Sequence, residues 1–335
     1  MKHYDVIIIG AGPAGLKCAE QFKGSNLSVL LIEKNKIIGQ KVCAGGLTNL
    51  RTSLDLPESR MRSFDKQILY LEDKRYEIKL IHPLRTVDRY DLGQCLLKKI
   101  KGVKNITISR ETIAKQIKKD RIITNKGEFY YKYLVGADGS NSIVRKFLGL
   151  KSEISIGLCY KIPKISRQIK IYFYPKLLGT GYIWIFPHKK YTNIGVGIHT
   201  NSNCASVKKA KEILEKFLKK NGFDYASKKL EAAPINSLYK GCVFNNNFLV
   251  GDAAGVLIKT TGEGIAQAMV NGEEIGKKIL DPNYKMVGLD EILKIKAKQE
   301  RAGKLADKLP FLRKYIIKIF IKLMKIEQFQ SYLGM

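Results

Sequence analysis

An apolar run, Val6 to Ile9, enters Gly10-x-Gly12-x-x-Gly15 without a break, and this junction constrains the fold more than any other stretch of the chain. Such a short apolar run reads as a buried parallel strand. In the turn that follows, Gly10 permits the tight bend, Gly12 lets a pyrophosphate approach the backbone, and Gly15 lets the next helix pack on the strand. Pro13 and Ala14 open that helix, whose free N–H groups and positive dipole end face the phosphates. A second strand, Val29 to Ile32, ends in Glu33 and Lys34, with Glu33 placed to accept a hydrogen bond from a ribose 2′-hydroxyl. A lone glycine turn would mean little. Strand, glycines, helix, second strand and acid in this order predict a dinucleotide site.

At 335 residues the chain can bury a full core and is expected to hold two lobes. Met1 leads within five residues into the first strand, with no secretory pattern, and no apolar stretch reaches the ~20 residues that span a bilayer. Cys18, Cys43, Cys95, Cys159, Cys204 and Cys242 form no CxxC pair, and the four histidines do not cluster. Neither a disulfide framework nor a metal site is expected, and the cytoplasm is the natural compartment. The net charge of +30 asks for an anionic partner. No basic segment is interleaved with stacking aromatics, so nucleic acid is not expected. Lysines crowd the C-terminal tail beside aliphatic runs, which points to peripheral contact with an anionic membrane, on its inner face.

The pattern predicts an α/β chain with an interruption. Residues 34–60 are loop-rich, 69–80 alternate like a hairpin, and Asp88 caps a helix with Leu92, Leu96 and Leu97 on its apolar face. Residues 156–198 are strand-rich. A buried strand near residue 250 returns to the first lobe and ends in Gly251-Asp252. The expected fold is therefore a Rossmann-like FAD-binding domain (1–60, 89–150 and 241–285) and a mostly antiparallel β substrate domain (61–88 and 151–240). A basic helical region follows at 286–335.

Two further segments favour flavin over nicotinamide. Val-Gly-Ala-Asp138-Gly139 resembles the "DG" motif, and Gly251-Asp252-Ala-Ala-Gly255 the "GD" motif, of the para-hydroxybenzoate hydroxylase superfamily of FAD enzymes. Asp88-Arg89 is similar to that superfamily's "DR" pair, which implies that Arg89 lies near the flavin. Within the superfamily, Tyr182-x-Trp184-x-Phe186-Pro187, followed after seven residues by Gly195, resembles the YxWxFPx7G motif of geranylgeranyl reductases, including the digeranylgeranylglycerophospholipid reductases. Cys43-Ala44-Gly45-Gly46 and Thr261-Gly262-Glu263-Gly264 resemble segments of the same family near the flavin. One departure stands out: Lys259-Thr260 occupies the place of a usual proline.

The resemblance implies FAD held by Gly10, Gly12, Pro13, Ala14, Gly15, Glu33, Lys34, Cys43, Ala44, Arg89, Asp138, Gly251, Asp252, Gly262 and Gly264. It implies an isoprenoid lipid against Tyr182, Trp184, Phe186, Pro187 and Gly195. Period-2 spacing sets Tyr182, Trp184 and Phe186 on one strand face, with Ile183 and Ile185 on the other. An unactivated double bond has no carbonyl to polarise, so a proton donor must meet one carbon as hydride reaches the other; the resemblance puts Cys43 in that role. Reductant is expected from NAD(P)H or reduced ferredoxin. Two rival readings remain at this point: an NAD(P)H- and oxygen-dependent aromatic monooxygenase of the same fold, and a non-catalytic basic membrane-binding flavoprotein.

The tail adds one expectation. From Pro310 a helix is predicted with Lys314, Lys318, Lys322 and Lys325 in one strip about 80° wide. Leu312, Tyr315, Ile316, Ile319, Phe320, Leu323 and Ile326 take the opposite side, either in a membrane interface or covering the flavin domain or the pocket mouth.

Overall fold

The computed structural model describes residues 2–47, 56–199 and 205–333; Cys204 and residues 48–55 of the loop-rich segment lie outside them. Two eight-stranded sheets organise the described residues. The first runs in the order Val243–Phe244, Asn247–Leu249, Gly127–Gly136, Lys2–Ile9, Val29–Ile32, Ile106–Ser109, with Ala114–Ile117 and Arg121–Thr124 as a side hairpin on Gly127–Gly136. The neighbours of Lys2–Ile9 pair with it in parallel, with Val6 opposite Val29 and Tyr133. Both faces of this strand are covered, which is why Val6 to Ile8 read as an unbroken apolar run rather than an alternation. The helix Pro13–Gln21 lies against the long helix Ile265–Leu280, so segments far apart in sequence close one core.

The second sheet runs Glu231–Asn236, Ile154–Ile162, Thr192–His199, Tyr182–Pro187, Ile169–Phe173, Met61–Leu71, Lys74–Val87, Gly46–Leu47, antiparallel except where Ile169–Phe173 joins Met61–Leu71. The hairpin foreseen at 69–80 extends to Met61–Val87. Behind the sheet, the helix Val207–Lys220 covers Leu158, Ile183, Ile185, Ile194 and Val196 with Leu214, Phe217 and Leu218. The opposite face turns to the first lobe. Gly46–Leu47 pairs with Arg85 and Thr86, and thereby carries the Cys43 loop onto the edge of this sheet.

The tail docks by a face other than the one foreseen. Its helix begins at Arg313, not Pro310, and runs to Leu323. Ile317, Ile321 and Met324 turn inward and join Leu69, Ile78 and Leu80 of the outer hairpin. Phe311, Tyr315, Ile319 and Ile326 stay exposed. Tertiary packing chose a narrow stripe centred on Ile317 and Ile321, leaving surplus apolar side chains outside.

Candidate active site

The nucleotide end is built locally. Gly10 has φ +105°, and a Cβ there would meet Ala137 O at 2.4 Å; one at Gly15 would meet Gly10 O at 2.0 Å. Gly12 is different: nothing lies within 4 Å of a Cβ placed on it. That open space sits at the N-terminus of Pro13–Gln21, where no side chain caps the helix and a phosphate would find the free N–H groups. Glu33 Oε2 accepts from Ala11 N at 2.9 Å and Oε1 from Asn35 N at 2.9 Å, which holds the acid at the mouth of the glycine loop.

Of the other expected cofactor residues, Asp138 and Gly251 lie against this turn: a Cβ on Gly10 would stand 3.1 Å from Asp138 Cα, and one on Gly251 3.0 Å from Ala14 Cβ. Asp88 caps the helix Arg89–Lys98 as foreseen, and Arg89 keeps a buried Nε with no hydrogen-bond partner. Asp138 is half-buried, and desolvation pushes its carboxyl above the ordinary value; Oδ2 accepts from Ile143 N at 2.7 Å, while Oδ1 has no partner. Asp252 Oδ2 accepts from Lys41 Nζ at 2.9 Å and from Ser140 Oγ at 3.2 Å. Gly251 is set by its N–H to Asn271 Oδ1. Fully buried Arg145 clamps the same turn by donating to the carbonyls of Ala253, Ala254 and Leu238. The Oγ1 atoms of Thr260 and Thr261 are buried and unpartnered beside Gly262 and the uncapped start of Ile265–Leu280. An open phosphate cradle, an orphaned guanidinium nitrogen and two orphaned hydroxyls fit a bound FAD.

At the Lys259-Thr260 pair, Lys259 makes contacts that a proline could not. Its backbone N–H donates to Glu300 Oε1 at 3.1 Å, and its Nζ pairs with Glu153 at 2.9 Å; Glu300 is held in turn by Lys296. A proline has no N–H to give. Here an ion-pair network from the helix Val287–Lys308 steadies the loop that a proline ring would stiffen.

The second sheet presents its inner face to this turn. Tyr182, Trp184 and Phe186 share that face; Tyr182 O–H donates to Thr261 O at 2.5 Å and so ties the strand to the loop before Ile265–Leu280. Trp184 is 8% exposed and pairs across strands with Gly195. A Cβ on Gly195 would stand 2.3 Å from its Cζ2, and Gly157 and Gly197 also lie under the ring. The Gly of the motif is thus the floor on which the indole rests. Cys43 is half-buried, and its Sγ lies 3.4 Å from Gly45 N, which donates to it. Gly45 (φ +76°) packs against Val87 O and His188, and Gly46 against Phe186, so both glycines have a packing reason within the protein itself. His188 Nε2 lies 2.8 Å from Ala44 O, and its ring stacks on Tyr191, whose hydroxyl donates to Asp88. Burial lowers the His188 pKa and favours the neutral ring.

Lys41, His188 and Asn193 carried no sequence signal, since single polar residues outside a motif are indistinguishable from surface ones. Pro187 ends the aromatic strand, and its carbonyl accepts from the buried Thr86 hydroxyl.

Comparison with known proteins adds decisive information. Residues 158–235 match the geranylgeranyl reductase catalytic domain, and residues 4–163 match the pyridine nucleotide-disulphide oxidoreductase domain. An uncharacterized protein of Methanosarcina barkeri is 31% identical over 298 residues, covering 81% of this chain and 73% of the relative. The chain belongs to the geranylgeranyl reductase family. A member from Methanococcus vannielii, named digeranylgeranylglycerophospholipid reductase, is 28% identical, with 84% of this chain and 79% of the relative covered. A geranylgeranyl bacteriochlorophyll reductase-like protein of Thermoplasma acidophilum superposes with TM-score 0.80 over 100% of this chain and 96% of its own, at 20% identity. The p-nitrophenol 4-monooxygenase of Pseudomonas putida superposes with TM-score 0.73 over 99% of this chain and 96% of its own, at 13% identity. These last two likenesses speak for the fold. This geranylgeranyl reductase family member is an FAD-dependent oxidoreductase.

Proposed function

We propose that the protein saturates carbon–carbon double bonds in the geranylgeranyl chains of a membrane lipid or quinone precursor. The observation that carries this reading is the juxtaposition of the Cys43 loop with the aromatic and glycine face of the second sheet, beside the loop that fits FAD. Reduced FAD, when bound, supplies hydride to one carbon of the double bond. Gly12, Glu33, Arg89 and Asp252 would hold it, with Gly262 and Gly264 at the other end. Tyr182 and Phe186 offer half-buried aromatic surface for a long apolar chain. Cys43 gives a proton to the second carbon, and the packed sheet keeps water from competing. Names of relatives support the substrate class: the M. vannielii protein is named for a digeranylgeranyl glycerophospholipid. NAD(P)H or reduced ferredoxin would recharge the cofactor.

The test is Cys43→Ser assayed with dithionite as reductant and a geranylgeranyl lipid, read by mass spectrometry as gains of two hydrogens per isoprene unit. FAD should remain bound while turnover falls by about 10²-fold, the loss usual for a positioned proton donor. Full turnover by Cys43→Ser would remove the cysteine from the chemistry; no mass gain with wild type would remove the substrate class.

The exposed apolar side chains of the tail support a peripheral membrane contact. Phe311 is 75% exposed and Tyr315 61%, with Ile319 and Ile326 following along the helix between exposed Lys314, Lys322 and Lys325. None of the described helices is long and apolar enough to cross a bilayer. Apolar side chains flanked by lysines suit the interface of an anionic leaflet. Wild type should co-sediment with anionic vesicles at low salt, and a Phe311→Ser, Tyr315→Ser, Ile319→Ser variant should not. Wild type staying in the supernatant would defeat this reading.

A further inference from the structure

Cys43 sits in a loop with no regular structure, yet three groups fix it. Gly45 N–H donates to its sulfur. His188 holds the next carbonyl, Ala44 O, which can only accept, so Nε2 carries the proton. The third group is Asn193, which is 0% exposed and lies 150 residues away in sequence. Its Nδ2 donates to Cys43 O at 3.2 Å and lies 3.6 Å from Cys159 Sγ. Its Oδ1 accepts from Trp184 Nε1 at 2.7 Å.

The Trp184 contact decides the orientation of the amide. An indole N–H is a donor and nothing else, so it must face Oδ1 and leaves Nδ2 pointing at the Cys43 carbonyl. A flipped amide would set two donors against each other at Trp184 and two acceptors at Cys43. Asn193 itself is held from both sides, because it sits on the interior strand Thr192–His199 opposite Phe186 and Lys161. The indole reaches it by lying flat on Gly195, where any side chain would collide. The aromatic motif therefore has a purpose within the sheet besides the substrate face expected of it.

We propose that Asn193, oriented by the Trp184 indole, is a positioning residue that holds the Cys43 carbonyl and so aims the Cys43 thiol. The proposal rests on the reading of Cys43 as the proton donor for its catalytic meaning, though not for its geometry. Cys159 packs beside the amide as a buried thiol, pushed up to about 12, and stays protonated and neutral there. The two hydrogens of Asn193 Nδ2 are thus shared out, one to Cys43 O and one to Cys159 Sγ.

Asn193→Asp and Trp184→Phe test this in the FAD-loaded protein. Aspartate still accepts from the indole but, when ionised, presents an acceptor to Cys43 O. Phenylalanine keeps most of the ring and removes the N–H that fixes the amide. The alkylation rate of Cys43 by iodoacetamide, followed by peptide mass spectrometry, should change at least about fivefold in both variants, the size expected when one hydrogen bond is lost. With dithionite and a geranylgeranyl lipid, kcat should fall about tenfold while KM stays within about twofold. For Asn193→Asp, kcat should recover as pH falls, because a protonated carboxyl donates to the carbonyl again. A purely structural asparagine would show no such recovery. Should Asn193→Asp fail to fold, Trp184→Phe decides the question. A wild-type Cys43 alkylation rate in folded, FAD-retaining variants overturns the proposal. Altered alkylation with unchanged kcat would instead leave the positioning intact and overturn the role of Cys43 in the chemistry.

Discussion

Two surfaces of this protein depend on glycine, for opposite reasons. At the nucleotide end, Gly10 and Gly15 let a strand and a helix meet closely, and between them Gly12 leaves an opening that the chain does not fill. On the second sheet, Gly157, Gly195 and Gly197 also clear a space, but the chain fills it with its own Trp184. The first we propose as a socket for a ligand; the second is a socket for a side chain. Loss of Gly12 should therefore cost binding, and loss of Gly195 folding.

The largest effect is expected from Gly195→Ala. Its Cβ would stand 2.3 Å from Trp184 Cζ2 and 2.4 Å from Leu158 O, and the backbone atom cannot step aside. Urea unfolding should show a loss of about 3 kcal/mol or more, the upper range of overpacking. Wild-type stability in this variant would break the comparison. Gly12→Ala should do the reverse: cofactor-free stability within about 0.5 kcal/mol of wild type, with FAD affinity reduced about tenfold. An unstable Gly12→Ala, or one that binds FAD normally, would show that the opening is not a ligand socket.

Smaller effects sharpen the ligand side. Asp252→Ala removes a carboxylate held by Lys41 and Ser140, and should weaken FAD retention by roughly 1–3 kcal/mol. Glu33→Gln should cost less than about 1 kcal/mol, because an amide oxygen still accepts from Ala11 N. Equilibrium dialysis of FAD against each variant ranks them; an inverted order would move the anchoring weight from the strand end near residue 250 to the first βαβ unit.

The second sheet was legible to a useful degree. Alternation assigned Tyr182, Trp184 and Phe186 to one face and Ile183 and Ile185 to the other, and the helix Val207–Lys220 covers the isoleucine face. What alternation could not show was that Trp184 would be nearly covered by its own sheet, because that depends on three glycines from two other strands. The tail was legible as a basic amphipathic helix, yet its buried stripe was misread. The expected apolar side was broad, and the hairpin surface at Leu69, Ile78 and Leu80 accommodates Ile317, Ile321 and Met324. Helical periodicity ranks possible faces; the shape of the partner surface selects among them.

The sequence by itself determined the strand–glycine–helix unit, the acid at the end of the second strand, the cap at Asp88 and the two-sided aromatic strand. Each of these is written in residues close together, where covalent geometry and short-range hydrogen bonding leave few alternatives. The tertiary structure alone decided that Lys41 meets Asp252, that Lys259 meets Glu153, and that Asn193 reaches Cys43. Those partners lie 106 to 211 residues apart. A single polar side chain carries no mark of a distant partner, because its hydrogen bond exists only once distant segments of the chain have been folded together.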